Sequence, residues 1–222
     1  MKNNLALLFG STGLVGNLLL EELIKSDKYT HIKTFVRQPT GLSHPKIDEI
    51  VMDFSTPENY KDRIKGDDLF ICLGSTLKKA GTVENFTKID RDLPVKLAAI
   101  AKKNGVNRIA VVSSIGAKIS SGNYYLRVKG EMEQAITNLG FDRVVFARPS
   151  LLLGERTKKR PTEMISKLLM KLFNPLFSGK LKKYKAIHGR DVARAMIEAI
   201  LKDSSKSVYE SDELLILANK YS

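Results

Sequence analysis

Short apolar runs recur along the first 150 residues, and most are separated by an amphipathic stretch. The runs fall at 5–9 (LALLF), 32–36, 47–54, 67–74, 107–114 and 142–150. Helical periodicity covers 14–26, 83–105 (with a break expected near Pro94 and Gly105 as C-cap) and 124–140. Strands that are apolar on both faces need cover on both faces, which predicts a parallel sheet. Right-handed crossovers then wind it into a doubly wound α/β sheet with helices on both sides. Past Pro149 the pattern loosens. Helices are expected over 161–173, 189–203 and 211–220, with a late strand at 206–210. No linker interrupts the 222 residues, which therefore read as a single domain whose tail forms a small C-terminal cap, with 151–190 on the substrate side.

The N-terminal run resembles a signal peptide in its charge pattern. Gly10, Ser11, Thr12, Gly13, Gly16 and Asn17 interrupt it, however, and a strand, a turn and a helix explain it better. The expectation is a cytoplasmic protein without a transmembrane segment. The single cysteine, Cys72, excludes an internal disulfide framework and sits in an apolar run. His31, His44 and His188 lack ligand-like spacing, so no metal site is expected. The net charge is +13, and eleven Lys/Arg against two Glu put +9 of it between residues 151 and 190. Such a segment would suit an anionic substrate or an acidic protein partner, although a solvated surface is the simpler reading. The aromatic residues are not interleaved with the charge, and no nucleic-acid motif is present.

The first strand runs directly into Gly10, Gly13 and Gly16 in a G-x-x-G-x-x-G pattern that opens a helix. A backbone that must turn tightly and approach a pyrophosphate favours glycine, and the helix N-terminus offers free N–H groups to the phosphates. Glycine turns also occur for packing, but the position after the first strand favours a dinucleotide-binding turn of a Rossmann fold. After the second strand, the position where an acidic residue would bind the ribose hydroxyls of NAD holds Arg37 instead. A guanidinium suits the 2′-phosphate of NADP(H), which is expected over NAD(H).

In NYYLRVKGEM (123–132), Tyr125 and Lys129 are four residues apart and share a helix face. Tyr124 lies about 100° away around the helix and is expected to flank the pocket or pack; Arg127 is expected to be solvated. The preceding strand ends in Ser113 and Ser114 at the carboxyl edge of the sheet, where ligands bind. Together, GSTGLVG, Asp53 in VMDF, CLGST, VVSSIGA, YLRVK and ARPS, in this order, resemble the short-chain dehydrogenase/reductase superfamily. CLGSTLKKAG, IDRDLPVKLA, YYLRVKGEME and RPSLLLGERTKKRP are most similar to its atypical TIP30-like, NAD-dependent epimerase-like branch.

The resemblance implies roles. Tyr125 would exchange a proton with a carbonyl or alcohol, Lys129 would hydrogen-bond the nicotinamide ribose and favour charge on the phenol oxygen, and Ser114, rather than Ser113, would bind the substrate oxygen. Gly10, Ser11, Thr12, Gly13, Leu14, Val15 and Gly16 would hold the pyrophosphate. Asp53 and Phe54 would contact adenine, Leu73 and Gly74 would line the cofactor, and Pro149 and Ser150 would lie by the nicotinamide. Two departures stand out. Asp90 replaces the asparagine many members place on the central helix, and only ten residues separate Ser114 from Tyr125. The large substrate domain of sugar-nucleotide epimerases is not expected here, which disfavours that reaction. The function expected is an NADP(H)-dependent oxidoreductase acting on a small carbonyl or alcohol. The alternative is an NADP(H)-binding regulator that works through a protein partner. Apolar pocket candidates in the tail are Met164, Leu168, Phe173 and Phe177.

Overall fold

The computed structural model describes residues 4–154 and 183–221. Its main sheet holds seven parallel strands: β1 (Asn4–Phe9), β2 (Tyr29–Val36), β3 (Ile47–Val51), β4 (Asp68–Ile71), β5 (Arg108–Val112), β6 (Arg143–Arg148) and β9 (Val208–Glu210). Their spatial order is β3-β2-β1-β4-β5-β6-β9. Chain order reverses direction between β1 and β4, and a crevice opens at such a point outside the carboxyl ends of the strands. A separate two-stranded ladder joins β7 (Leu152–Leu153) to β8 (Ile187–His188).

Alternation along the strands sends their side chains into two cores. Ala6 and Leu8 of β1 join Leu19, Leu20 and Leu23 of α1 (Leu14–Lys25) on one face. Leu7 and Phe9 join Leu97, Ala98 and Ala101 on the other, where α4 (Leu93–Lys103) packs with α5 (Tyr124–Thr137). Two short helices, α2 (Leu77–Ala80) and α3 (Val83–Thr87), lead into α4.

The helices expected over 189–203 and 211–220 and the late strand expected over 206–210 are all present. Val192, Ala193, Met196 and Ile200 of α6 (Gly189–Leu201) are buried in the same core as α1, together with Leu214 and Leu217 of α7 (Ser211–Ala218). Strand β9 closes the edge of the sheet. These elements complete the layers, because α6 is apolar along a full face and that face needs a partner. The helix expected at 161–173, the pocket candidates Met164, Leu168, Phe173 and Phe177, and most of the basic charge of 151–190 lie outside the described residues.

The expected break near Pro94 is a π-turn over Lys88–Asp92, between α3 and α4. Pro94 brings no N–H to the carbonyl four residues before it, that of Asp90, so the regular ladder cannot pass through.

Polar clamps tie the amino-terminal side of the sheet and the α1 face. Asp68 is fully buried, accepts from the Tyr29 hydroxyl at 2.6 Å and pairs with Arg108. Burial raises its carboxyl above the usual range against the pull of Arg108 and Tyr29. Glu22, 2% exposed, receives Arg190 and Arg194 of α6, the latter at 3.1 Å. Burial alone would raise the Glu22 carboxyl, but the hydrogen bonds from Arg190 and Arg194 outweigh it and hold it below the usual range. A depressed carboxylate stabilises the fold above the ordinary glutamate range, and that contribution is lost as pH falls through the folded value. Glu22→Gln is expected to cost roughly 1.5–3 kcal/mol at neutral pH, the worth of hydrogen bonds to a charged group, and to flatten the acid limb of the stability profile. Urea denaturation from neutral pH down to below the ordinary glutamate range measures both.

Candidate functional site

The glycine turn is built by close backbone approach. Gly10 has φ of +90°, and a Cβ there would stand 2.7 Å from the Cys72 carbonyl. A Cβ on Gly16 would fall 2.0 Å from the Gly10 oxygen. Only glycine lets β1, the turn and α1 meet this closely at the switch point. Ser11 is buried, while Thr12 and Gly13 are exposed at the mouth of the turn. Gly13 caps α1 with no side-chain hydrogen bond, so the first N–H groups of the helix remain available to an anion. Leu14 reaches back to Gly154 and Gly189, where added Cβ atoms would lie 2.8 and 3.4 Å from it, and so ties the turn to the C-terminal elements. Val15 and Gly16 are buried in α1.

Arg37 follows β2 directly and is exposed. Asp53 follows β3 by two residues, and its carboxylate is already engaged. It accepts from the Ser55 amide at 2.9 Å and the Ser55 hydroxyl at 2.7 Å, and these bonds hold it below the usual carboxylate range. Phe54 meets the ring of Phe9 edge-on. Just past β4, Leu73 is part-buried and Gly74 is exposed. Cys72 keeps part of its surface, but dense packing pushes its thiol up to about 12, which leaves it unsuited to nucleophilic work.

Three residues of α5 form a polar stripe one helical turn apart: Tyr125, Lys129 and Glu133. Each meets something different. The Tyr125 ring leans on buried Phe86 with centroids 5.6 Å apart, and its hydroxyl makes no hydrogen bond among the described residues. Lys129 Nζ lies 2.7 Å from Asp90 Oδ1, with side chains 4% and 1% exposed. The contact is an ion pair out of line for a hydrogen bond, while Asp90 Oδ2 accepts from the Ser75 amide at 2.7 Å. Glu133 receives the Ser113 hydroxyl and the Arg148 guanidinium, the latter through Nε at 2.9 Å.

The stripe separates the candidates. Ser113 is buried and spent on Glu133, whereas Ser114 stays part-exposed, its hydroxyl donating, among the described residues, only to the neighbouring Ile115 carbonyl at 3.3 Å. Tyr124 is held by the Thr87 hydroxyl. Arg127, expected to be solvated, stacks on the Tyr124 ring at 5.1 Å and donates to the Ser121 carbonyl. Adjacent aromatic surface attracts the guanidinium and withdraws it from water. Pro149 is buried, and its carbonyl accepts from Ile115 N at 3.1 Å. The Ser150 hydroxyl is spent on the Lys185 carbonyl and also accepts from Ser211 at 3.0 Å. The short link from Ser114 to Tyr125 is pinned on α5, for Lys118 N donates to Leu126 O at 3.1 Å. A Cβ on Gly130 would strike the Lys118 carbonyl carbon at 2.5 Å, so glycine is needed where the link crosses.

The residues missed as partners in the sequence are Asp90, Glu133 and Arg148. The i, i+4 spacing of Glu133 behind Lys129 was the available signal. Nothing local pointed to Arg148, which arrives from the next strand. Among the described residues no cluster of His, Cys, Asp and Glu could hold a metal, and no helix is long and apolar enough to cross a membrane.

The NAD(P)H-binding family profile matches residues 10–203 of this chain. The chain belongs to the NAD(P)H-binding family. Protein HTATIP2 of Rattus norvegicus is 32% identical over 209 residues, covering 92% of this chain and 84% of that protein. The mitochondrial protein FMP52 of Debaryomyces hansenii is 34% identical over 197 residues, covering 86% and 85%. These relatives agree with an atypical short-chain dehydrogenase/reductase. MoeE5 in complex with UDP-glucose and NAD superposes with a TM-score of 0.69 at 18% identity, over 97% of this chain and 81% of that one. The UDP-Glc/GlcNAc 4-epimerase of Campylobacter jejuni gives 0.70 at 14%, over 96% and 82%. Both likenesses are of fold alone. The glycine turn and the uncapped end of α1 fit the dinucleotide this family binds.

Proposed function

We propose that this NAD(P)H-binding protein is an NADP(H)-dependent oxidoreductase that interconverts a small carbonyl compound and its alcohol. The observation that carries this reading is the contrast along α5. The Tyr125 hydroxyl is uncommitted among the described residues, while Lys129, one turn on, is fixed in place by Asp90. A proton donor must be free toward its substrate, and its supporting cation must not wander.

When bound, the reduced nicotinamide would supply a hydride. The chain's own residues would do the rest. Tyr125 would give its proton to the carbonyl oxygen as negative charge gathers there. Lys129 would steady the phenol oxygen left behind, and Ser114 would hold the substrate oxygen in line. Ser113 is a poor choice for that task, since its hydroxyl already serves Glu133. Exposed Arg37 at the end of β2 supports a 2′-phosphate and hence NADP(H), because no acid stands there to hold ribose hydroxyls. The regulatory alternative leans on the basic stretch of 151–190, most of which lies outside the described residues. A cytoplasmic location stays with this reading; the word mitochondrial in the FMP52 name belongs to that relative.

Tyr125→Phe is expected to lower turnover at least about 10²-fold across a panel of small aldehydes and ketones while leaving NADPH affinity intact. Turnover at the wild-type rate would refute the assignment of the proton donor. Arg37→Ala is expected to weaken NADPH binding roughly 10–100-fold, the loss of one charge-assisted contact, and to leave NADH affinity unchanged. Calorimetric titration with both nucleotides checks it, and equal losses for the two would argue against a 2′-phosphate contact.

A further inference from the structure

The segment from α3 through the π-turn runs alongside α5, and matching residues meet rung by rung. Thr87 meets Tyr124, Phe86 meets Tyr125, Asp90 meets Lys129, and Arg91 meets Glu131 at 2.7 Å. A buried carboxylate thus stands one rung from the Tyr125 phenol. Gly74 adjoins it, for a Cβ there would lie 3.3 Å from Asp90 Oδ1 and 3.7 Å from Lys129 Nζ.

We propose that Asp90 is a positioning residue that both fixes the Lys129 ammonium and cancels part of its field at Tyr125. The proposal rests on Tyr125 as proton donor, but its test does not require turnover. An asparagine at residue 90 could hold the Ser75 amide as Asp90 does, yet would leave the lysine charge unbalanced. The aspartate makes the lysine part of a neutral pair. Deep burial keeps water from screening either charge. Among the described residues around α5, Arg91 is paired with Glu131 and Arg148 with Glu133, while Arg127 keeps its charge against the Tyr124 ring and Lys118 is exposed to solvent. Among the described residues, Asp90 and Lys129 are the buried charged pair on the rung next to the phenol, where solvent screens them least. Ser75 N holds the other Asp90 oxygen, so the carboxylate cannot rotate away without losing a backbone donor.

The test is the ultraviolet phenolate titration of the folded chain, with Tyr125→Phe subtracted to isolate Tyr125. Asp90→Asn is expected to move the Tyr125 midpoint to lower pH by roughly one unit, the usual effect of unmasking a nearby cation. Lys129→Met is expected to move it up. The double variant D90N/K129M, again neutral, is expected to return close to the wild-type midpoint. Should D90N fail to fold with a lone buried lysine, K129M and D90N/K129M still report the charge of Asp90 alone, and the double must titrate lower than K129M. An unmoved midpoint on removing Asp90, with or without Lys129, would overturn the proposal. A phenol that responds as stated in a protein whose Y125F variant keeps its turnover would instead overturn the catalytic reading and leave the electrostatic one standing.

Discussion

A buried ion pair between Lys129 and Asp90 constrains the candidate site of this molecule. The two charges sit almost wholly out of water, so each depends on the other. To bring them within 2.7 Å, α5 must present Lys129 toward the α3–α4 segment, and that segment must widen into a π-turn at the right residue. The residues above and below follow the same register. Tyr125 comes to rest on Phe86, and Glu133 reaches the carboxyl ends of β5 and β6 through Ser113 and Arg148. Removing one charge would strand the other, and such a lone buried charge costs about 3–5 kcal/mol. The site is therefore specified by a contact that could not be left half made.

The rest of the fold frames that contact. The amino-terminal side of the sheet is closed by Asp68, Tyr29 and Arg108, and α6 is locked onto α1 through Glu22. On the carboxyl side of the strands, Arg37, Gly74 and Ser114 lie in the loops that leave β2, β4 and β5, the free N–H groups of α1 follow β1, and Tyr125 lies in the first turn of α5. Buried polar clamps lie at one end and uncommitted polar groups at the other, where a doubly wound sheet offers its crevice to a ligand.

The sheet and its two layers were legible because apolar runs and helical periodicity are local signals. The glycine turn was equally plain, since the requirement for glycine at residues 10 and 16 is written in the backbone itself. The separation of Tyr124 from Tyr125 followed from helix geometry, and Tyr124 does pack, against Thr87. What the sequence hid was the pairing between distant segments. Asp90 could be seen to replace an asparagine, but not to reach Lys129. The Ser113–Glu133–Arg148 chain crosses two strands and a helix, so no spacing rule announces it. The pattern of α6 was visible, yet only the sheet's topology shows that its apolar face belongs under α1.

The most direct measurement is a double-mutant cycle of equilibrium urea unfolding on Asp90→Asn and Lys129→Met. If the pair is the anchor described, each single change destabilises by about 3–5 kcal/mol, and the double variant loses less than the sum by more than about 1 kcal/mol. Additive losses would contradict the account, since they would mean that the two side chains contribute independently and that Lys129 is held by something other than Asp90.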